Sequence, residues 1–143
     1  MQFLNILATA TVASAAAISK RDVTFAVSNF NAGCIPHSAL CSYNFTVIQP
    51  GTMETTGVEC SGLFLANGTS LLPNVHEAPC KESSRTFDVA RCPEGLTLTV
   101  SQPVTPSSNQ TGSHFIPNDQ LVIADQPNAA VQSYTGPTSF DLE

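Results

Sequence analysis

This sequence predicts an all-β fold, a compact antiparallel sandwich or barrel of about seven to eight strands stapled by disulfides. Three observations carry that expectation. Apolar residues recur at every second position in several short runs, clusters of Gly, Pro and Asn separate the runs, and the chain holds five cysteines. A repeat of two is that of a strand with one buried face, because successive side chains point to opposite sides. No window of convincing length shows the i, i+3, i+4, i+7 spacing of an amphipathic helix.

The elements follow in order. Val23, Phe25 and Val27 alternate with polar residues. Cys41, Tyr43, Phe45 and Val47 alternate with Ser42, Asn44 and Thr46, and Leu63 and Leu65 alternate less cleanly. Phe87 and Val89 make a short pair, and Leu96, Leu98 and Val100 alternate with Thr97, Thr99 and Ser101. Two short apolar runs, His114 to Ile116 and Leu121 to Ile123, flank a single helical turn expected at Asn118 to Gln120. Pro50-Gly51, Asn67-Gly68, Pro93-Glu94-Gly95 and the stretch from Pro106 to Gly112 supply the turns. The end segment Tyr134 to Phe140 either packs back as a last strand or frays. Phe25, Tyr43, Phe45, Phe87, Leu98 and Phe115 are the expected core.

The chain opens on an uncharged apolar stretch from Phe3 to Ala17 that closes with the small residues Ala13, Ser14, Ala15, Ala16 and Ala17. A membrane span needs roughly 20 apolar residues. This stretch is shorter and suits signal-peptidase cleavage. Residues 1–17 are therefore read as a signal peptide. Residues 18–21 are read as a short pro-segment ending in the dibasic processing pair Lys20-Arg21, and residues 22–143 as a single secreted, extracellular domain.

Past Arg21 only Lys81, Arg85 and Arg91 are basic against eleven acidic residues, a formal charge of −8. Such a chain repels phosphate backbones and anionic lipid head groups, which argues against nucleic acid and bare membrane as partners. Charged residues make up 11% of the chain, against roughly 25% in an average domain. Uncharged polar residues do the solubilising. Three N-x-S/T sequons, at Asn44, Asn67 and Asn109, are candidate glycosylation sites.

Cys34, Cys41, Cys60, Cys80 and Cys92 all follow the processing pair. The Pro-containing loop from Ile35 to Leu40 favours a Cys34–Cys41 bridge, and Cys60 then pairs with Cys80. A Cys80–Cys92 bridge that leaves Cys60 free stays open, because sequence does not determine connectivity. Loop-closure entropy assigns about 2.5 kcal/mol to the first ring and about 3.3 kcal/mol to the second. Their sum rivals the whole net stability of a small domain. Cys92 is then unpaired or intermolecular, so the protein is a monomer or a Cys92-linked dimer. No C-x2-C or H-x3-H spacing is present, so no metal site and no cofactor is expected.

Catalytic patterns are sparse. His37, His76 and His114 are scattered beside turn-forming residues, and no Gly-x-Ser-x-Gly elbow occurs. Glu54 with Glu59, or Glu77 with Glu82, are the acid pairs a glycosidase needs, but eleven scattered acids supply such pairs by chance. There is no tryptophan and there are only two tyrosines, which disfavours an aromatic sugar platform. Cys92, next to Arg91 and Pro93, reads as structural rather than nucleophilic.

The block Asn29-Phe30-Asn31-Ala32-Gly33-Cys34-Ile35-Pro36-His37-Ser38-Ala39-Leu40-Cys41-Ser42-Tyr43-Asn44-Phe45-Thr46-Val47 resembles the first block of small secreted fungal proteins. These are the hypersensitive-response-inducing elicitors, grouped with the Alternaria major allergen-like domain. Residues 112–117 (Gly-Ser-His-Phe-Ile-Pro) and 132–140 are similar to later blocks. The resemblance implies a secreted β-barrel or sandwich without catalysis, an allergen or a trigger of plant defence. It matches Cys34, Cys41, Cys60 and Cys80 to the family's recurring cysteines, and Cys92 has no counterpart there. The expectation is a non-enzymatic effector that recognises a host plant or cell-wall surface component. The loops Ile35 to Leu40, Gly68 to Pro79 and Pro103 to Gly112 are its candidate contacts. A secreted protease inhibitor, or a small-molecule or lipid carrier with an apolar barrel cavity, is the alternative.

Overall fold

The computed structural model describes residues 23–68, 70–126 and 129–143. The expected signal peptide, Lys20 and Arg21 lie outside the described residues. Ten strands form: β1 (Phe25–Cys34), β2 (Leu40–Ile48), β3 (Val58–Leu65), β4 (Val75–Pro79), β5 (Thr86–Cys92), β6 (Gly95–Thr105), β7 (Ser108–Pro117), β8 (Leu121–Gln126), β9 (Ala129–Tyr134) and β10 (Phe140–Leu142). A short 3-10 turn, Asn118–Gln120, precedes β8.

The strands build two antiparallel sheets. One holds six strands in the order β3-β2-β1-β9-β8, with β10 also laid against β1, and the other runs β4-β5-β6-β7. The sheets face each other as a sandwich. Among the described residues their ladders do not close into a barrel, yet both edges are stitched. On one side the backbones of Ser113 and Glu143 exchange two hydrogen bonds of 3.1 and 3.0 Å, tying β7 to the end of β10. On the other, the Cys60–Cys80 disulfide joins β3 to the residue after β4, and Lys81 N–H donates to Glu59 O at 2.8 Å.

The alternation places the core directly in β2, β5 and β6. Tyr43, Phe45, Val47, Phe87, Leu98 and Val100 are all buried. β1 is less simple. Phe25 and Val27 face inward, and so do Phe30, Ala32 and Cys34, which have the opposite parity. The register shifts between Ser28 and Asn31, and Asn29 sits at φ 55°. One inserted residue in a strand flips every later side chain, and Asn tolerates the left-handed conformation that the bulge demands. The bulge therefore turns Phe30 into the core. There it meets Phe45 at 5.8 Å and Tyr134 at 4.8 Å between ring centroids.

Two expectations need correction. Phe115 is 45% exposed, while its neighbour Ile116 is buried. β7 pairs Leu96 with Ile116 and Leu98 with His114, so those residues share the inner face of β6's leucines and Phe115 points out. Among the described residues the strand number is ten rather than seven or eight. β4 buries only Val75 and Ala78 across a register shift, and β9 opens on two alanines and buries the polar Gln132, so neither shows clean alternation. Finally, His76 and His114, which stand beside turn-forming residues in the sequence, lie within strands β4 and β7. The end segment packs rather than frays: β10 pairs Phe25 with Leu142.

Among the described residues one ion pair buries its guanidinium between the sheets, with the carboxylate partly open to water. The Arg85 guanidinium donates to both carboxylate oxygens of Glu54, from Nη2 at 2.7 Å and Nη1 at 2.8 Å. Its Nε donates to Gln102 Oε1 at 2.6 Å, and it lies over the Phe25 ring at 5.3 Å. This pair anchors the long β2–β3 connection to the second sheet.

Candidate functional site

The Cys34–Cys41 disulfide closes the β1–β2 connection where the two cysteines face each other across the ladder. The enclosed loop is held by its own backbone. Ile35 N–H donates to Leu40 O at 3.0 Å, Ser38 N–H to Ile35 O at 3.2 Å, and Leu40 N–H to Ser38 Oγ at 3.1 Å. His37 takes φ 61° at the tip. A ring this short and this bonded has few conformations, yet Ile35 to Ala39 are all exposed.

Beside the ring runs the end of β3. Leu40 pairs with Leu65, and Ala66 N–H donates to Ala39 O at 2.8 Å. Leu63 and Leu65 point outward, 59% and 72% exposed, because the inward positions of β3 belong to Cys60, Gly62 and Phe64. β9 closes the third side: Gln132 N–H donates to Ser70 O at 3.0 Å, and Gln132 Oε1 accepts from Leu72 N–H at 2.9 Å. Together these segments frame an open cleft of about 710 Å3. Ile35 and His37 line it from the ring, Leu65 and Ala66 from β3, and Ala130 and Val131 from β9. His37 is the one titratable side chain among its lining residues. Such a surface offers shape and apolar contact rather than charge.

The remaining candidate residues stand apart. Cys60 and Cys80 form the second disulfide, and Cys92 is an exposed free thiol at the end of β5. Asn44, Asn67 and Asn109 are all exposed, as a glycan acceptor must be. The histidines are not brought together. His37 is at the ring tip, and His76 Nε2 and Nδ1 contact Glu77 at 3.1 Å and Asp88 at 3.3 Å. His114 stacks on Phe140 at 4.0 Å, where burial pushes its pKa down against a smaller upward pull from Glu143. Glu54 is held below the usual carboxylate range by the Arg85 hydrogen bond. Tyr43 donates its hydroxyl to Pro73 O at 2.8 Å, and burial raises its pKa.

Among the described residues no group of three His, Cys, Asp or Glu is placed to hold a metal ion. Among the same residues no helix is long and apolar enough to cross a membrane. The side chains of Phe25, Phe30, Tyr43, Phe45 and Phe87 fill the space between the sheets, where the carrier reading needs a cavity. The sequence did not point to Leu65, Ala130 or Val131 as lining a cleft. The one local signal was a pair of leucines on the polar parity of an edge strand.

No protein-family model, curated protein or solved structure matches this chain.

Proposed function

We propose that this chain is a secreted, non-enzymatic recognition protein of the fungal effector kind. It elicits plant defence by docking a host plant or cell-wall surface component on the cleft beside the Cys34–Cys41 ring. The observation that carries this reading is the combination of rigidity and apolar exposure at that ring. Ile35 and Leu65, which line the cleft, are 39% and 72% exposed on a framework fixed by a disulfide and a backbone ladder. Exposed apolar side chains on rigid supports lose little conformational freedom on binding, so more of the buried area appears as affinity. The two disulfides suit a protein that matures in an oxidising compartment. The resemblance of residues 29–47 to elicitors names the host response.

Infiltration of purified protein into leaves of several plants tests the reading. A defence response at about micromolar dose, the affinity range of a modest interface, is expected. No response in any of them removes the elicitor role.

A second reading rests on the same ring, whose exposed tip suits insertion into a protease cleft. Inhibition of a protease panel that disappears when only the Cys34–Cys41 bridge is opened would move the assignment there.

A further inference from the structure

A second open cleft, of about 490 Å3, is lined by Asn67, Asn74, Arg91, Cys92, Pro93 and Asn118. It brings Asn67, the acceptor residue of a glycosylation sequon, and the free thiol of Cys92 into the same hollow, although they belong to different parts of the chain. Most of its polar walls are already engaged. Asn74 Oδ1 accepts from Arg91 N–H at 2.7 Å, Arg91 Nη1 donates to Leu72 O at 2.6 Å, and Asn118 Nδ2 donates to Pro93 O at 2.7 Å. The Asn67 carboxamide and the Cys92 thiol have no hydrogen bond among the described residues.

The Asn67 backbone, by contrast, is clamped. Its N–H donates to Leu71 O at 2.8 Å and its O accepts from Leu71 N–H at 3.2 Å, across a turn in which Gly68 takes φ 72°. The uncommitted Asn67 carboxamide is thus carried on a fixed backbone stem at the wall of the cleft that also holds Cys92. The other two acceptors lack this placement. Asn44 lies in the middle of β2 and Asn109 near the start of β7, and neither lines the cleft.

We propose that Asn67 carries an N-linked glycan whose first sugar lies over this cleft and shields the Cys92 thiol. The proposal rests on the export reading, since only a chain in the secretory pathway meets the sugar donor. The step is a group transfer from a lipid-diphosphate-linked oligosaccharide. Asn67 Nδ2 loses one proton and bonds to the anomeric carbon, the bond from that carbon to the diphosphate oxygen breaks, and the lipid diphosphate leaves with the proton. The cleft lies in the size class that holds a drug-sized molecule, so a sugar ring fits within it. Asn74, Arg91 and Asn118 border the ring's hydroxyls with polar groups. Thiol chemistry at a surface is governed by access as well as by thiolate fraction. Covering the cleft therefore slows attack by Cys92 without altering the thiol itself.

The test uses the full chain secreted from a eukaryotic host, with and without that host's leader ahead of Met1. Secretion only of the leader-bearing version sinks the export reading while leaving the shielding measurable. Peptide mapping reads occupancy at Asn67, and a maleimide reagent reads the reaction rate of Cys92, with Cys92→Ser as the background. The glycosylated protein is expected to react about tenfold more slowly than Thr69→Ala or Asn67→Gln, which lack the sequon. Enzymatic removal of the glycan from the folded native protein gives the same comparison should either variant misfold. An unoccupied Asn67 in secreted protein, or equal rates with and without the glycan, overturns the proposal.

Discussion

Replacing Glu54 by Ala should destabilise the protein more than replacing its partner Arg85 by Met. The difference follows from burial. The Arg85 side chain is 6% exposed and that of Glu54 is 19% exposed. Removing the carboxylate strands a guanidinium between the sheets, whereas removing the guanidinium leaves a carboxylate that water can reach. Breaking a buried pair by deleting one partner costs about 3 to 5 kcal/mol. Arg85 keeps Gln102, Val47 O and the face of Phe25 as partners, so the lower figure applies. Arg85→Met fills most of the same volume with apolar atoms and should cost about 1 kcal/mol, near the centre of the range for single substitutions. The double variant should lie close to Arg85→Met alone, because no charge is then left stranded. Urea unfolding with the disulfides intact reads these values. At a slope of about 1.5 kcal/mol/M, a loss of 3 kcal/mol lowers the midpoint by roughly 2 M. Acid should reproduce the effect. The folded pKa of Glu54 lies below its unfolded value of about 4.3, so the pair's contribution is present above that value. It is lost as pH falls through the lower, folded one. If Glu54→Ala leaves the midpoint unchanged, or Arg85→Met is the more damaging, the buried pair does not anchor the β2–β3 connection as argued.

Other outcomes follow from the same structure. Opening the Cys60–Cys80 seam with paired alanines should cost about 3 kcal/mol from loop-closure entropy, and thermal unfolding of the secreted variant measures it. Gly95→Ala should destabilise by about 2 kcal/mol or more, since Gly95 has φ 156° and an added Cβ would sit 2.0 Å from Ile116 O; a variant as stable as the parent would refute the close approach. Burial of His114 holds its folded pKa below the unfolded value of about 6.5, so its contribution is full above that value. Urea midpoints should therefore fall between pH 8 and pH 5, and His114→Gln should flatten that slope.

Much of the fold was legible because its strands bury one face. The runs at Cys41 to Val47 and Leu96 to Val100 show a repeat of two that nothing else explains. The errors arose where parity is set by a distant partner. Phe115 looks as apolar as Ile116, and only the pairing of β7 with β6 decides which of them enters the core. In β1 the bulge at Asn29 reverses the parity partway along, so Phe25 and Phe30 both point inward although five positions separate them. β4 and β9 were illegible for a different reason. Their buried residues are few, small or polar, and Gln132 is buried because Leu72 N–H and Arg91 donate to it. The candidate cleft is assembled from three segments that no local pattern joins: the ring, the end of β3 and the start of β9. The same holds for the hollow shared by Asn67 and Cys92. What the sequence supplied there was chemistry, a sequon and an odd thiol, without the neighbourhood.

The central claim is that the ring-side cleft is the binding surface. Saturable binding of labelled, secreted protein to plant cell walls and protoplasts tests it most directly, comparing the parent with an Ile35→Asp, Leu65→Asp double variant. Both side chains are exposed, so the variant should unfold at the parent's urea midpoint while losing its saturable binding. Undiminished binding by that variant, or no saturable binding by the parent, contradicts the account.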